Sequence, residues 1–141
     1  MDAPKRLQGL ASWRLSAAAL VGDRLVNEAL ATEGVRKYHF RVLVALSDDG
    51  PLSQAELGRR LAIDRSDMAA VAAELEQRAL LERTRDDRDR RRNVVTITSE
   101  GQAALARMDD AIKAAQTTLL APLSSAEQRQ LNELLGRLIE P

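Results

Sequence analysis

LLERTRDDRDRRRNVVTITSEG, residues 80–101, contains two short runs with strand character, Leu80 to Thr84 and Asn93 to Thr98, on either side of a segment too polar to be buried. The expected structure is a β-hairpin with a charged tip. Between Arg83 and Asn93 stand six arginines (Arg83, Arg85, Arg88, Arg90, Arg91, Arg92) against three aspartates (Asp86, Asp87, Asp89), a local excess of three positive charges. A guanidinium stays charged and donates through a planar fork, which suits phosphates and groove edges. The interleaved aspartates can each hold a neighbouring guanidinium in one orientation. Taken alone, the run also reads as a solvated, self-neutralising loop.

The residues before the hairpin choose between these readings. Ser53, Gln54, Ala55 and Glu56 have capping-box spacing, so a short helix is expected from there to about Leu61. After the link Ala62, Ile63, Asp64, the aspartate can cap a second helix from Arg65 to Arg78, with Met68, Val71 and Leu75 on one side. Two such helices on so short a link form a helix-turn-helix, whose second member can enter a major groove with its N-terminal residues forward. Helix, tight link, helix and charged hairpin follow one another in the order of a winged helix. The function expected from that order is binding of duplex DNA.

Both chain ends read as amphipathic helix. From Leu7 to about Thr32, Leu10, Trp13, Ala17, Leu20, Val21, Leu25 and Ala29 recur at helical spacing, and Gly34 can close the run. A second helix is expected from Lys37 to Ser47, with Phe40, Leu43, Val44 and Leu46 inward. Thr98 can cap a helix carrying Leu105, Met108, Ile112, Ala115 and Leu119, which Pro122 ends. Ser124 to Glu127 is a second capping box, opening a last helix with Leu131, Leu134, Leu135, Leu138 and Ile139. These stripes exceed what a domain between Tyr38 and Thr98 can cover, and they favour a homodimer with Leu10, Leu119, Leu131, Leu134 and Leu138 at its seam. The expected fold is mainly α: a winged helix-turn-helix at 35–98 with a small β-hairpin wing, a dimerisation helix at 1–34 and dimerisation helices at 99–141.

Composition sets the outer bounds. The chain has 141 residues, 45% of them apolar, and 21 basic residues balance 21 acidic ones, so a nucleic-acid surface must arise from where charge lies. With no cysteine and one histidine, disulfides, thiolate metal sites and cysteine redox sensing are excluded, and no metal or cofactor is expected. No apolar run reaches membrane-span length and the first ten residues lack a signal-peptide core, so the expected location is the cytoplasm. Without a Gly-rich phosphate loop or a serine, histidine and acid set, no enzyme activity is expected.

Leu80 to Gly101 resembles the wing signature of the MarR-type regulators, with Asp89, Arg90 and Arg91 at the DRR positions and Ile97, Thr98 and Gly101 at the LTxxG positions. LSQAELGRRLAIDRSDMAAVAAELEQRALLER is similar to their helix-turn-helix, and LAPLSSAEQRQLNELL to their closing dimer helix, so the likeness covers nearly the whole chain. The resemblance implies a homodimeric transcriptional regulator, in many members a repressor released by a small aromatic or phenolic ligand between the dimer helices and the winged domain. It implies that Arg91 enters the minor groove with Asp89 orienting it, and that Arg65 and Ser66 sit at the N-terminal end of the recognition helix. Ser53, Gln54, Arg88, Arg90 and Arg92 complete the expected contacts to a pseudo-palindromic DNA site.

The recognition helix departs from relatives in carrying Asp67, Ala69, Ala70 and Glu74, where threonine and further polar or basic residues are common. Alanine makes no bidentate base contact, so the wing and groove shape are expected to matter more. Asp67 also reads as a favourable charge in a first helical turn. Trp13 reads as core or dimer filler, or, beside Arg14, as one wall of a cleft for a planar anion; His39 reads as a surface or helix-start histidine, and the resemblance places its region near the same effector cleft. Two other readings stay open: a constitutive DNA-binding protein without effector, and a helical dimer that has lost DNA binding and acts through protein partners.

Overall fold

The computed structural model describes residues 2–140. Among these the helices are α1 Lys5–Gln8, α2 Ala11–Ala31, α3 Lys37–Asp49, α4 Gln54–Leu61, α5 Arg65–Gln77, α6 Ser99–Leu120 and α7 Ser125–Ile139, and the strands are β1 Leu52–Ser53, β2 Leu81–Arg85 and β3 Asn93–Ile97. They fall into two compact units, one running from Asn27 to Ile112, the other made of the residues up to Val26 and those from Lys113 onward.

Within the Asn27–Ile112 unit the two-helix element forms as its caps dictate. The Ser53 hydroxyl accepts the Glu56 amide at 3.1 Å and the Asp64 carboxylate accepts the Asp67 amide at 2.8 Å. The return half of the expected capping box is not made: the Glu56 carboxylate turns to Arg60 Nε at 2.9 Å and to Arg59, because two guanidiniums one turn ahead compete better than a single backbone amide. In the link, Ala62 takes the left-handed conformation at φ 53°, which costs a residue with a Cβ on the order of 1 kcal/mol. Each helix then contributes buried side chains. Leu30, Val42, Leu43, Leu57, Leu75, Val95 and Met108 are wholly excluded from solvent, so every helix from the end of α2 to the first half of α6, together with β3, has a side chain in one core.

The expected hairpin forms between β2 and β3, with Leu81 opposite Ile97 and Arg85 opposite Asn93. A third strand was not expected. β1 pairs antiparallel with β3 through Leu52↔Val95 and Ser53↔Val94, giving the order β1-β3-β2. Two residues are too short to show a period of two, and Ser53 is also the cap of α4, so helix chemistry masks its strand role. The strands' far end is closed by Thr98, whose hydroxyl accepts the Gly101 amide at 2.9 Å and donates to the Ala79 carbonyl at 2.6 Å. A Cβ at position 101 would lie 2.1 Å from the Leu80 carbonyl oxygen, so only glycine lets α6 start this close to the hairpin.

A polar clasp fixes α5 to α3. His39 is 6% exposed; its Nδ1 accepts the Arg36 amide at 3.0 Å, so the proton sits on Nε2 and donates to Glu74 at 2.5 Å. The Arg36 guanidinium grips the same carboxylate at 2.9 and 3.2 Å. One turn on, Arg78 donates to the Glu33 and Gly34 carbonyls at 3.0 and 3.1 Å. Hydrogen bonds first from His39 and then from Arg36 hold the Glu74 carboxyl below its ordinary pKa.

In the other unit, the helix expected from Leu7 is interrupted: Gly9 caps α1, and α2 begins at Ala11. Leu119 is half-buried and packs 3.6 Å from where a Cβ on Gly22 would lie. Gln128 Nε2 donates to the Leu120 and Leu123 carbonyls at 3.1 Å, closing α6, and the Ser124–Glu127 capping box opens α7 with both bonds made. Apolar side chains nevertheless face solvent, among them Leu10, Leu20, Leu134, Leu138 and Ile139, with Leu138 66% exposed.

Gly101→Ala should destabilise the chain by about 2 kcal/mol or more, since the added methyl meets a backbone carbonyl that cannot step aside; thermal denaturation measures it. Glu74→Gln should lower stability at pH 7. A depressed folded-state pKa gives stability that is present above the unfolded carboxylate value of about 4.3 and lost as pH falls through the folded one. The deficit against wild type should therefore shrink below about pH 4 in a series of denaturant melts; a deficit constant to pH 3 contradicts the clasp.

Candidate nucleic-acid interface

A cleft of about 470 Å³ lies between α4, the start of α5 and the returning side of the wing tip, and Arg59, Arg65, Arg91 and Arg92 all line it. Four guanidiniums from three elements on one concavity give a positive surface to a chain with no net charge. Ser53 and Gln54 lie at the back of the cleft, the serine buried with its hydroxyl engaged as the α4 cap, and Gln54 with a buried Oε1 that has no hydrogen-bond partner.

The wing tip is ordered by its own aspartates. Asp86 accepts the Arg88 amide at 2.9 Å and Asp89 accepts the Arg91 amide at 3.1 Å, two Asx turns in sequence. Backbone bonds from the Asp86 amide to the Arg92 carbonyl and from the Arg92 amide to the Asp89 carbonyl, both 2.9 Å, close the loop. Asp89 also accepts Arg91 Nε at 3.2 Å, so one carboxylate sets both the backbone and the direction of a guanidinium whose side chain is 92% exposed. The Arg91 bonds, side chain first, hold the Asp89 carboxyl below its ordinary pKa. Asp86 was expected to hold a guanidinium and instead holds an amide, because a carboxylate at the first position of a tight turn reaches the backbone two residues on. Arg83, counted above in the positive excess, is bound to Glu76 of α5 at 2.9 Å and braces the wing stem.

On α5, Arg65, Ser66, Asp67, Ala69 and Ala70 are exposed while Met68, Val71, Ala72 and Leu75 face the core. The Ser66 hydroxyl donates to Asp64 at 2.9 Å. Of the expected DNA-facing residues, Ser53, Gln54, Arg65, Arg91 and Arg92 share the cleft; Ser66, Arg88, Asp89 and Arg90 lie outside its lining. Sequence reasoning missed Arg59 and Asn93. Arg59 follows Ala55 by one turn, and a helical wheel of α4 with Leu57 inward would have turned both toward the next helix.

The expected effector residues lie in different units. Trp13 is half-buried near the start of α2, and the adjacent exposed Arg14 donates through Nε to the Gln8 carbonyl. His39, in the other unit, has both ring nitrogens engaged by Arg36 and Glu74. Among the described residues no group of side chains could hold a metal ion, and no helix is long and apolar enough to cross a membrane.

The chain is 36% identical over 76% of its length to an inferred transcriptional regulator of the hcr operon in Thauera aromatica, of which it spans 64%. It is 30% identical over 80% of its length to a helix-turn-helix-type transcriptional repressor of Mycobacterium tuberculosis, of which it spans 81%. Among solved structures, the repressor CouR bound to a 23-mer DNA duplex superposes with a TM-score of 0.90 at 25% identity, covering 99% of this chain and 100% of that one. The PcaV transcriptional regulator of Streptomyces coelicolor, in complex with its natural ligand, gives 0.76 at 29% identity, covering 99% and 98%. The profile of the MarR family matches residues 34–92, and with the wing, the cleft and the relatives in agreement, the chain belongs to the MarR family.

Proposed function

We propose that this protein is a sequence-specific duplex-DNA-binding transcriptional regulator, a homodimeric cytoplasmic repressor released by a small aromatic or phenolic ligand. The observation that carries the reading is the cleft in which Arg59, Arg65, Arg91 and Arg92 converge, with Asp89 aiming Arg91 outward. A helix start fits a major groove and an arginine on a protruding hairpin fits the adjacent minor groove, while the flanking arginines meet phosphates. The likeness to CouR, whose structure contains DNA, supports it. Residues 35–98 are the DNA-binding part, with 1–34 and 99–141 making the dimer. Exposed Leu10, Leu134 and Leu138 are its seam, and Leu119 and Leu131, half-buried within the protomer, support that face. Two-fold symmetry then presents two helices and two wings to a pseudo-palindrome.

PcaV, solved in complex with its natural ligand, supports a small-molecule effector; the effector we infer is a planar aromatic anion, with Trp13 stacking and Arg14 pairing the carboxylate. Release follows from differential affinity: the ligand favours a spacing of the two recognition helices that no longer matches successive grooves. Trp13 is the chain's one tryptophan, so its fluorescence reports directly on a panel of aryl carboxylates and phenols. A panel that changes neither fluorescence nor DNA affinity removes the effector from the reading.

DNA binding is tested by fluorescence anisotropy with duplexes from beside the protein's own gene, across a salt series. Arg91→Ala should cost about 1–3 kcal/mol at each half-site, and Asp89→Ala less, since it loosens the turn and the orientation but keeps the guanidinium. Changing wing-contacted flanks from A·T to G·C should weaken wild type but leave the Arg91→Ala protein about where it was. Loss of Arg90 or Arg92 should lower the salt slope and weaken all sequences alike. Unchanged affinity and flank preference in Arg91→Ala would return the wing to a merely solvated loop. Separately, Leu134→Asp or Leu138→Asp should convert the dimer to monomer in sedimentation, because a carboxylate in the seam would have to be desolvated. A wild type that sediments as a folded monomer at micromolar concentration contradicts the dimer.

A further inference from the structure

Which base edges α5 can read follows from what its outward face has left to offer. Glu74 is tied to Arg36 and His39, so it is withdrawn from any contact with DNA. Beyond Arg65 in the cleft and Ser66 bonded to Asp64, the exposed positions in the first half of α5 are Asp67, Ala69 and Ala70. Asp67 and Ala70 are three apart and share one side of the helix.

Each of these residue types selects a partner by exclusion. A methyl group makes no hydrogen bond, and the one apolar feature on the major-groove edge of the bases is the C5-methyl of thymine. Two short side chains also let the helix axis approach the groove floor closely enough for methyl to meet methyl. A carboxylate is repelled by phosphates and accepts only, so on a base edge it needs an amino group, and the favourable match is the cytosine N4 amine. The Asp64 carboxylate beside it, already occupied by the Ser66 hydroxyl and the Asp67 amide, further raises the Asp67 pKa above its ordinary value, yet leaves it exposed to meet a donor.

We propose that α5 reads a half-site that presents thymine methyls to Ala69 and Ala70 and a cytosine 4-amino group to Asp67. The inference rests on the DNA-binding reading above and specifies what that site recognises. It makes Asp67 a specificity-determining residue that acts by rejection as much as by attraction, since guanine and thymine at the same position would face the carboxylate with acceptors.

The test begins with selection of duplexes from a random library by the full-length protein, followed by affinity measurements on the selected site. Replacing thymines of the half-site by deoxyuridine removes only methyl groups and keeps base pairing. At one or two positions this should weaken binding about fourfold per methyl, as expected for one buried carbon. In a repeat selection with Asp67→Asn, whose fold is checked by thermal melting, one position should change from cytosine to adenine, because an amide pairs bidentately with adenine. A selected, salt-sensitive site that tolerates every deoxyuridine and keeps its base preference in Asp67→Asn overturns this inference and leaves the DNA-binding function standing. A protein that enriches no duplex overturns both.

Discussion

The carboxylate of Glu74 is the point at which α5 is fixed in place. It sits in the last turn of α5, receives Nε2–H from a buried histidine and two bonds from Arg36, and so locks the helix to the start of α3. Arg78, one turn further, ties the same helix to the turn at Glu33 and Gly34, and Arg107 of α6 donates to the Glu33 carboxylate at 2.7 Å. Helix α5 has only four core-facing side chains, so packing alone leaves its rotation about its own axis weakly defined. The clasp removes that freedom, and with it any drift of Asp67, Ala69 and Ala70 relative to the wing.

The same logic governs how a chain of zero net charge directs its arginines. Its acids are placed on the arginines that need direction: Asp89 on Arg91, Glu76 on Arg83, Glu56 on Arg59 and Arg60. Exposed pairs of this kind contribute little to stability. Their effect is geometric, since an arginine held at one end has less conformational freedom to lose when its fork meets an anion.

The chain's own spacing announced most of the architecture. Ser53, Asp64, Thr98 and Ser124 mark helix starts with side chains whose only efficient use is to accept an end amide, and all four do so. The aspartates of the wing announced an ordered loop, and the family resemblance supplied the Asp89–Arg91 pairing that the geometry then shows. What stayed hidden depends on contacts between residues far apart in sequence. Nothing local tells that His39 and Glu74, 35 positions apart, are hydrogen-bonded, or that Glu56 prefers Arg60 to its own helix end. The two-residue strand β1 is invisible for a different reason, as its partner β3 defines it. Val42, fully buried where the periodicity of α3 pointed to Phe40 and Val44, shows how a helix wrapped by several neighbours blurs a one-sided stripe.

The self-closed tip of the wing bears on the thermodynamics of association. A basic loop that orders only on meeting its target contributes a large unfavourable entropy and a heat-capacity change beyond that of the contact surface. Here the two Asx turns and the Asp86 and Arg92 backbone bonds settle the loop's conformation during folding. In the DNA association proposed above, the heat capacity would then be set by the surface the two partners bury, the signature of a rigid body docking rather than of a segment folding onto its target.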